Sequence, residues 1–134
     1  MSATKNIIST KGLSIGYLTK KKSMIIAENL NLSLAKGKLI TLVGANGVGK
    51  STLLRTLTGI QKPLSGDVFL EDKNIRSLDS VALAKNLSLV LTEKLPPSNL
   101  TVFELVALGR QPYTNWLGKL SEEDLKIINE VMEL

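Results

Sequence analysis

Leu30, Leu32 and Leu34 alternate with Asn31 and Ser33, and this two-residue period predicts a half-buried strand over Asn29 to Ala35. A partner strand is read over Gly12 to Tyr17, with the basic turn Leu18 to Ser23 and then Met24-Ile25-Ile26 between the two. Residues 1–10 are polar and are expected to be loose. Two further runs do not alternate cleanly, Lys38 to Val43 and Leu87 to Leu91, and short apolar runs of this kind predict strands buried on both faces. Asp67 to Leu70 predicts one more strand. The period lengthens elsewhere. Leu53, Leu54, Leu57 and Ile60 form one stripe of a helix over Lys50 to Thr58, and Gly59 follows as a stop. Ser80 to Lys85 fits a short helix. Thr101 with Glu104 three places on reads as a capping box opening a largely apolar helix that ends at Gly109. Ser121 then caps a last helix with an acidic first turn, Glu122-Glu123-Asp124, whose apolar positions run from Leu125 to Leu134. That helix has no stop signal, and the pattern reads as a chain cut within an element. Pro96-Pro97-Ser98 interrupts the order and predicts a subdomain boundary.

Between the Lys38–Val43 run and the Lys50 helix lies Gly44-Ala45-Asn46-Gly47-Val48-Gly49-Lys50-Ser51-Thr52. Gly, four free positions, then Gly-Lys-Ser is the spacing of a phosphate-binding P-loop. Glycines let the backbone turn tightly and bring N–H groups onto phosphate oxygens. Lys50 supplies a cation to the outer phosphates, and the Ser51 hydroxyl is placed to hold Mg²⁺. A strand before the loop and a helix after it are the surroundings such a motif requires, and the helix N-terminus favours an anion there. The alternative, a glycine-rich turn that merely opens a helix, explains neither the lysine nor the hydroxyl after it.

Composition narrows the chemistry. The chain has 134 residues, 43% of them hydrophobic, and a net charge of +5 from 17 basic and 12 acidic side chains. Such a charge suits phosphate ligands, nucleic acid or an anionic surface. Lys20-Lys21-Lys22 is read as a solvated hairpin turn and no nucleic-acid partner is expected, because aromatic residues for base stacking make up only 4%. With no Cys there is neither a disulfide nor a thiolate metal site, and with no His there is no Ser-His or Cys-His catalysis. No apolar run is long enough for a signal core or a membrane span, so a cytoplasmic, soluble chain that reaches a membrane only through a partner is expected.

In sum of its blocks the chain resembles the ATP-binding subunit of ABC transporters. The resemblance is carried by Gly37-Lys38-Leu39, Gly44 to Thr52, Leu53-Leu54-Arg55 and Pro63-Leu64-Ser65-Gly66-Asp67-Val68 in that order. Leu100-Thr101-Val102 through Leu105 to Arg110, then Pro112-Tyr113, resembles the importers of iron-siderophore, haem and cobalamin. The resemblance implies an α/β P-loop NTPase fold with a RecA-like core. Residues 1–94 would hold an N-terminal antiparallel β subdomain and the first half of the ATP-binding core, and 95–134 the start of an α-helical subdomain. It implies ATP and Mg²⁺ as cofactors, with Gly44, Asn46, Gly47, Gly49, Lys50, Ser51 and Thr52 around the phosphates, Ser51 on the metal and Thr52 at the α-phosphate. Tyr17 would stack on adenine, against the plainer reading of a strand-end tyrosine packed on the sheet. The family keeps a metal-contacting glutamine where this chain has Thr92 and Glu93, so either of those is a candidate second metal contact, or both are an ordinary polar strand end.

Leu64-Ser65-Gly66-Asp67 is superficially like the family's signature but lies too early in the chain. The signature, the Walker B aspartate, the catalytic glutamate and the switch histidine have no counterpart in residues 1–134. The implied function is ATP hydrolysis driving uptake of an iron chelate or similar ligand. Membrane permease subunits and a second nucleotide-binding subunit, head to tail, would be the partners, and the location the inner face of the cell membrane. Residues 1–134 alone would bind ATP without hydrolysing it. The rival readings are a soluble non-transport ABC ATPase and a non-enzymatic nucleotide-binding piece. A GTPase is disfavoured, as no Asn-Lys-x-Asp stretch is present.

Overall fold

The computed structural model describes residues 5–19, 22–90 and 99–134. One long strand, β1 (Asn6–Leu18), carries an antiparallel sheet by pairing along its length with β2 (Ser23–Leu30), β3 (Ser33–Ala35) and β4 (Ser65–Leu70). The short β5 (Lys73–Asn74) completes the outer edge beside β4. The sheet therefore begins inside the segment expected to be loose: Ile8 finds Leu34 on one side and Leu70 on the other.

The strand expected over Asn29 to Ala35 is two strands. Asn29 has φ 54, a conformation in which a short polar side chain is tolerated. The Asn31 side chain accepts from Gly12 N at 2.8 Å and donates to Asn29 O at 3.1 Å, which stabilises a turn where alternation predicted a straight ladder. The buried Thr10 hydroxyl bridges the break, donating to Leu30 O and accepting from Leu32 N.

Beneath the sheet lies α1 (Lys50–Leu57), and together they bury Leu13, Ile15, Leu57, Val68, Leu70 and Ile75. The buried face of α1 is Thr52, Leu53, Thr56 and Leu57 rather than the expected leucine stripe. Leu54 and Ile60 are exposed, because the sheet covers only one side of the helix.

Neither run expected to be a buried strand forms one: Leu39 is 98% accessible, Val43 85% and Val90 94%, while Leu87 packs half-buried against the core and Leu91 lies outside the described residues. A strand buried on both faces needs a parallel neighbour and covering helices. Among the described residues no strand pairs with either run. Thr92 and Glu93, and the boundary expected at Pro96-Pro97-Ser98, lie outside the described residues.

α2 (Ser80–Asn86) is capped by the Asp79 side chain, which accepts from Ala82 N at 2.6 Å. α3 (Val102–Ala107) has the expected capping box, Thr101 N donating to Glu104 Oε2 at 2.7 Å and Glu104 N to Thr101 Oγ1. It tightens at Leu108 into a 3-10 segment, Leu108–Tyr113, instead of stopping at Gly109. In α4 (Glu122–Met132) the cap is reciprocal too: Ser121 and Asp124 form a second box, and Asp124 also accepts from Arg110 Nε at 2.7 Å. These bonds hold the Asp124 carboxyl at about 2, the Ser121 hydroxyl and backbone N–H contributing most and Arg110 next. Arg110 and Lys85 flank the Tyr113 ring, 4.0 and 5.1 Å from its centroid, so the 3-10 segment joins α2 to the helices that follow.

Candidate phosphate-binding site

Gly44 to Gly49 forms an exposed loop ahead of α1, with Gly47 at φ 80 and Gly49 at φ 105. An L residue at Gly49 would be strained, and its Cβ would also meet the Ile26 side chain of β2. The close approach has a cause in the sheet. Ile15 pairs with Ala27 but Gly16 with Ile25, so β2 carries one extra residue, a bulge at Ile26 beside the loop.

The Lys50 ammonium turns back into the loop and donates to the carbonyls of Gly44 and Ala45, both at 2.7 Å. A cation is thus held against the loop by two neighbouring carbonyls, and α1 has no acidic residue in its first turn to neutralise it. Ser51 is exposed on that turn and Thr52 is buried, 4% accessible. Asn46 is exposed in the loop. The Tyr17 and Thr52 hydroxyls are 3.0 Å apart, which places Tyr17, a residue still 44% accessible, beside the first turn of α1. The residues picked out in this region, Tyr17, Gly44, Asn46, Gly47, Gly49, Lys50, Ser51 and Thr52, therefore converge on one end of one helix. Thr92 and Glu93 lie outside the described residues.

Such an arrangement can bind an anion of several phosphates: positive backbone groups at the helix N-terminus, a cation in the loop and hydroxyls on the first turn. It also fits Mg²⁺. That ion keeps several waters and takes one or two protein ligands beside substrate phosphates, so Ser51 with phosphate oxygens is a sufficient set. Among the described residues no cluster of acidic side chains offers a separate metal cage. A 540 Å³ cavity lies at the other end of α1, lined by Gly59, Gln61, Pro63, Ile75, Leu78 and Leu83 among others. The loop remains the candidate site, because phosphates are gripped by protruding backbone N–H groups and not by an apolar hollow.

Sequence reasoning missed the Gln61 side chain, whose Nε2 donates to Gly16 O at 2.6 Å across 45 positions. It also missed the hydroxyl pair Tyr17–Thr52, 35 positions apart. No periodicity signals contacts of this range.

Residues 27–133 match the profile of the ABC transporter family. An uncharacterised ABC transporter ATP-binding protein of Methanocaldococcus jannaschii is 43% identical over 92% of this chain and 41% of its own length. The iron(3+)-hydroxamate import ATP-binding protein FhuC of Bacillus subtilis is 41% identical over 96% of this chain and 46% of its own. A solved ATP-binding cassette, dimeric and in a post-hydrolysis state with ADP and Pi, superposes with a TM-score of 0.73 at 25% identity, covering 94% of this chain and 56% of that one. The chain spans about half the length of the curated relatives it matches.

Proposed function

The chain belongs to the ABC transporter family, and on that premise we propose that it is ATP-binding machinery of an importer of iron chelates. The observation that carries the nucleotide reading is the loop itself, where Lys50, Ser51, Thr52 and Tyr17 meet at the N-terminus of α1. The transported class is supported by relatives named for it, the iron(3+)-hydroxamate import protein FhuC and the ferric enterobactin transport protein FepC of Escherichia coli.

Each residue has a defined task in this reading. The N–H groups of Asn46 to Lys50 surround the β-phosphate, and Lys50 leaves the Gly44 and Ala45 carbonyls for the β and γ oxygens. Ser51 would be one ligand of Mg²⁺, which would supply positive charge beside the phosphates. Thr52 contacts the α-phosphate, and the Tyr17 face takes adenine. Thr92 or Glu93 serves as a further metal contact. Residues 1–94 form the nucleotide unit and 95–134 the start of a helical unit. Residues 1–134 bind ATP without turning it over, because phosphoryl transfer also needs the attacking water positioned, and none of the site residues named above has that task.

Among the described residues no helix is long and apolar enough to cross a membrane. In the proposed assembly the chain attaches to the inner face through permease subunits and faces a second nucleotide-binding subunit. The test is genetic. Deleting the gene should abolish growth on a ferric hydroxamate as sole iron source, and the intact gene but not the gene carrying Lys50→Ala should restore it. Undiminished growth of the deletion strain, or rescue by Lys50→Ala, would overturn the reading.

A further inference from the structure

We propose that Gln61 is a positioning residue for nucleotide affinity, which fixes the Tyr17 ring at the place where a purine stacks. The proposal rests on the reading that Tyr17 stacks on the base.

Tyr17 is the next residue after a crowded point of β1 that lies opposite the bulge in β2. A Cβ at Gly16 would meet the Met24 carbonyl oxygen on one side and Leu64 Cδ1 on the other. The main chain here is therefore gripped between β2 and the segment that follows α1. Two hydrogen bonds close that grip: Gln61 Nε2 donates to Gly16 O at 2.6 Å, and Leu64 N to Ser14 O at 2.8 Å. Gln61 is itself fixed to the helix, its N–H donating to Arg55 O at 3.0 Å. The ladder to β2 pairs Gly16 with Ile25 and Tyr17 with Met24, and the Gln61 bond adds a tie to the Gly16 carbonyl from the segment that follows α1.

The consequence lies in the geometry of α1. Its first turn carries the phosphate-binding groups and, through Thr52, holds the Tyr17 hydroxyl. Its far end, through Gln61, holds the peptide from which the Tyr17 side chain springs. One rigid helix thus sets both the phosphate site and the ring, and the spacing between them matches a single ligand only while both ties hold. Without the Gln61 tie, Tyr17 keeps its contact chemistry but must lose conformational freedom when the base arrives, and affinity falls by that entropy.

The experiment is a titration with Mg-ATP and, separately, with Mg-tripolyphosphate, which has the charges but no base. Gln61→Met keeps the length and removes the donor. Ordering one freed side chain on binding corresponds to about 2- to 10-fold in affinity. Gln61→Met should weaken Mg-ATP by that factor, leave Mg-tripolyphosphate unchanged, and add nothing in a Tyr17→Ala background. Equal loss for both ligands, no loss for Mg-ATP, or a full additional loss in the Tyr17→Ala background would overturn the proposal. If Tyr17→Ala by itself leaves Mg-ATP affinity unchanged, the stacking reading fails and the proposal with it. Thermal melting of each variant separates these results from unfolding.

Discussion

Replacing Tyr17 by Phe, Trp or Ala separates its two contacts. The hydroxyl meets Thr52 Oγ1 at 3.0 Å, and the residue remains 44% accessible. If Tyr17 O–H donates, Thr52 still has its own proton to give an α-phosphate oxygen, so the same hydroxyl pair survives in the free and bound protein. A bond present in both states cancels from the binding free energy. Tyr17→Phe should then lower stability by about 1 kcal/mol while binding Mg-ATP close to wild type. Tyr17→Trp, which keeps a π-face, should also bind well. Tyr17→Ala removes the face, worth about 1–3 kcal/mol, or roughly 5- to 150-fold in affinity. Calorimetric titration at fixed ionic strength reads the affinities, and thermal melting under the same conditions reads the fold. An equal loss of Mg-ATP affinity in Phe, Trp and Ala variants would refute the stacking argument and assign Tyr17 a hydroxyl contact or a packing role.

Gly66→Ala and Gly37→Ala have similar backbones, φ 76 and 71, but only at Gly66 would a Cβ meet neighbouring main chain, at Gly12 and Leu13. Gly37→Ala should cost about 1–2 kcal/mol for the left-handed conformation and Gly66→Ala clearly more, read by urea unfolding; equal costs would show that β1 and β4 separate freely. Asp124, held at about 2, binds its proton more weakly folded than unfolded, so its contribution is complete above about pH 4 and is lost as pH falls through about 2. The melting gap between wild type and Asp124→Asn should therefore be widest above pH 4 and close towards pH 2; a gap independent of pH would dissociate the network from stability. Phosphate release from residues 1–134 with Mg-ATP should not exceed that of Lys50→Ala, and steady turnover lost in Lys50→Ala would demonstrate a complete catalytic site.

What was legible in the chain was local. The Thr101–Glu104 and Ser121 caps follow from side chains reaching backbone three residues away, and the P-loop from glycines that must be left-handed or closely packed. The split of Asn29 to Ala35 was not legible, since leucine alternation persists while Asn31 turns its amide onto Asn29 and Gly12. Lys38 to Val43 and Leu87 to Leu91 show the converse. Their apolar composition specifies burial, yet Leu39, Val43 and Val90 lie exposed, because burial is a property of partners and none of the described strands pairs with them. Asp124 was read as a first-turn acid; its bond to Arg110 depends on how the 3-10 segment folds back on α4. The site's groups were found by motif, and the ties that place Tyr17 only by structure.

The most direct measurement is the affinity of residues 1–134 for Mg-ATP beside that of Lys50→Ala. The Lys50 ammonium already lies against the loop on the Gly44 and Ala45 carbonyls, and in this reading it exchanges them for phosphate oxygens on binding. A charge-assisted hydrogen bond contributes about 1.5–3 kcal/mol, so Lys50→Ala should weaken binding roughly 10- to 150-fold in a variant whose melting shows it folded. An unchanged dissociation constant, or no binding by the wild-type chain, would contradict the assignment of this loop as a nucleotide site.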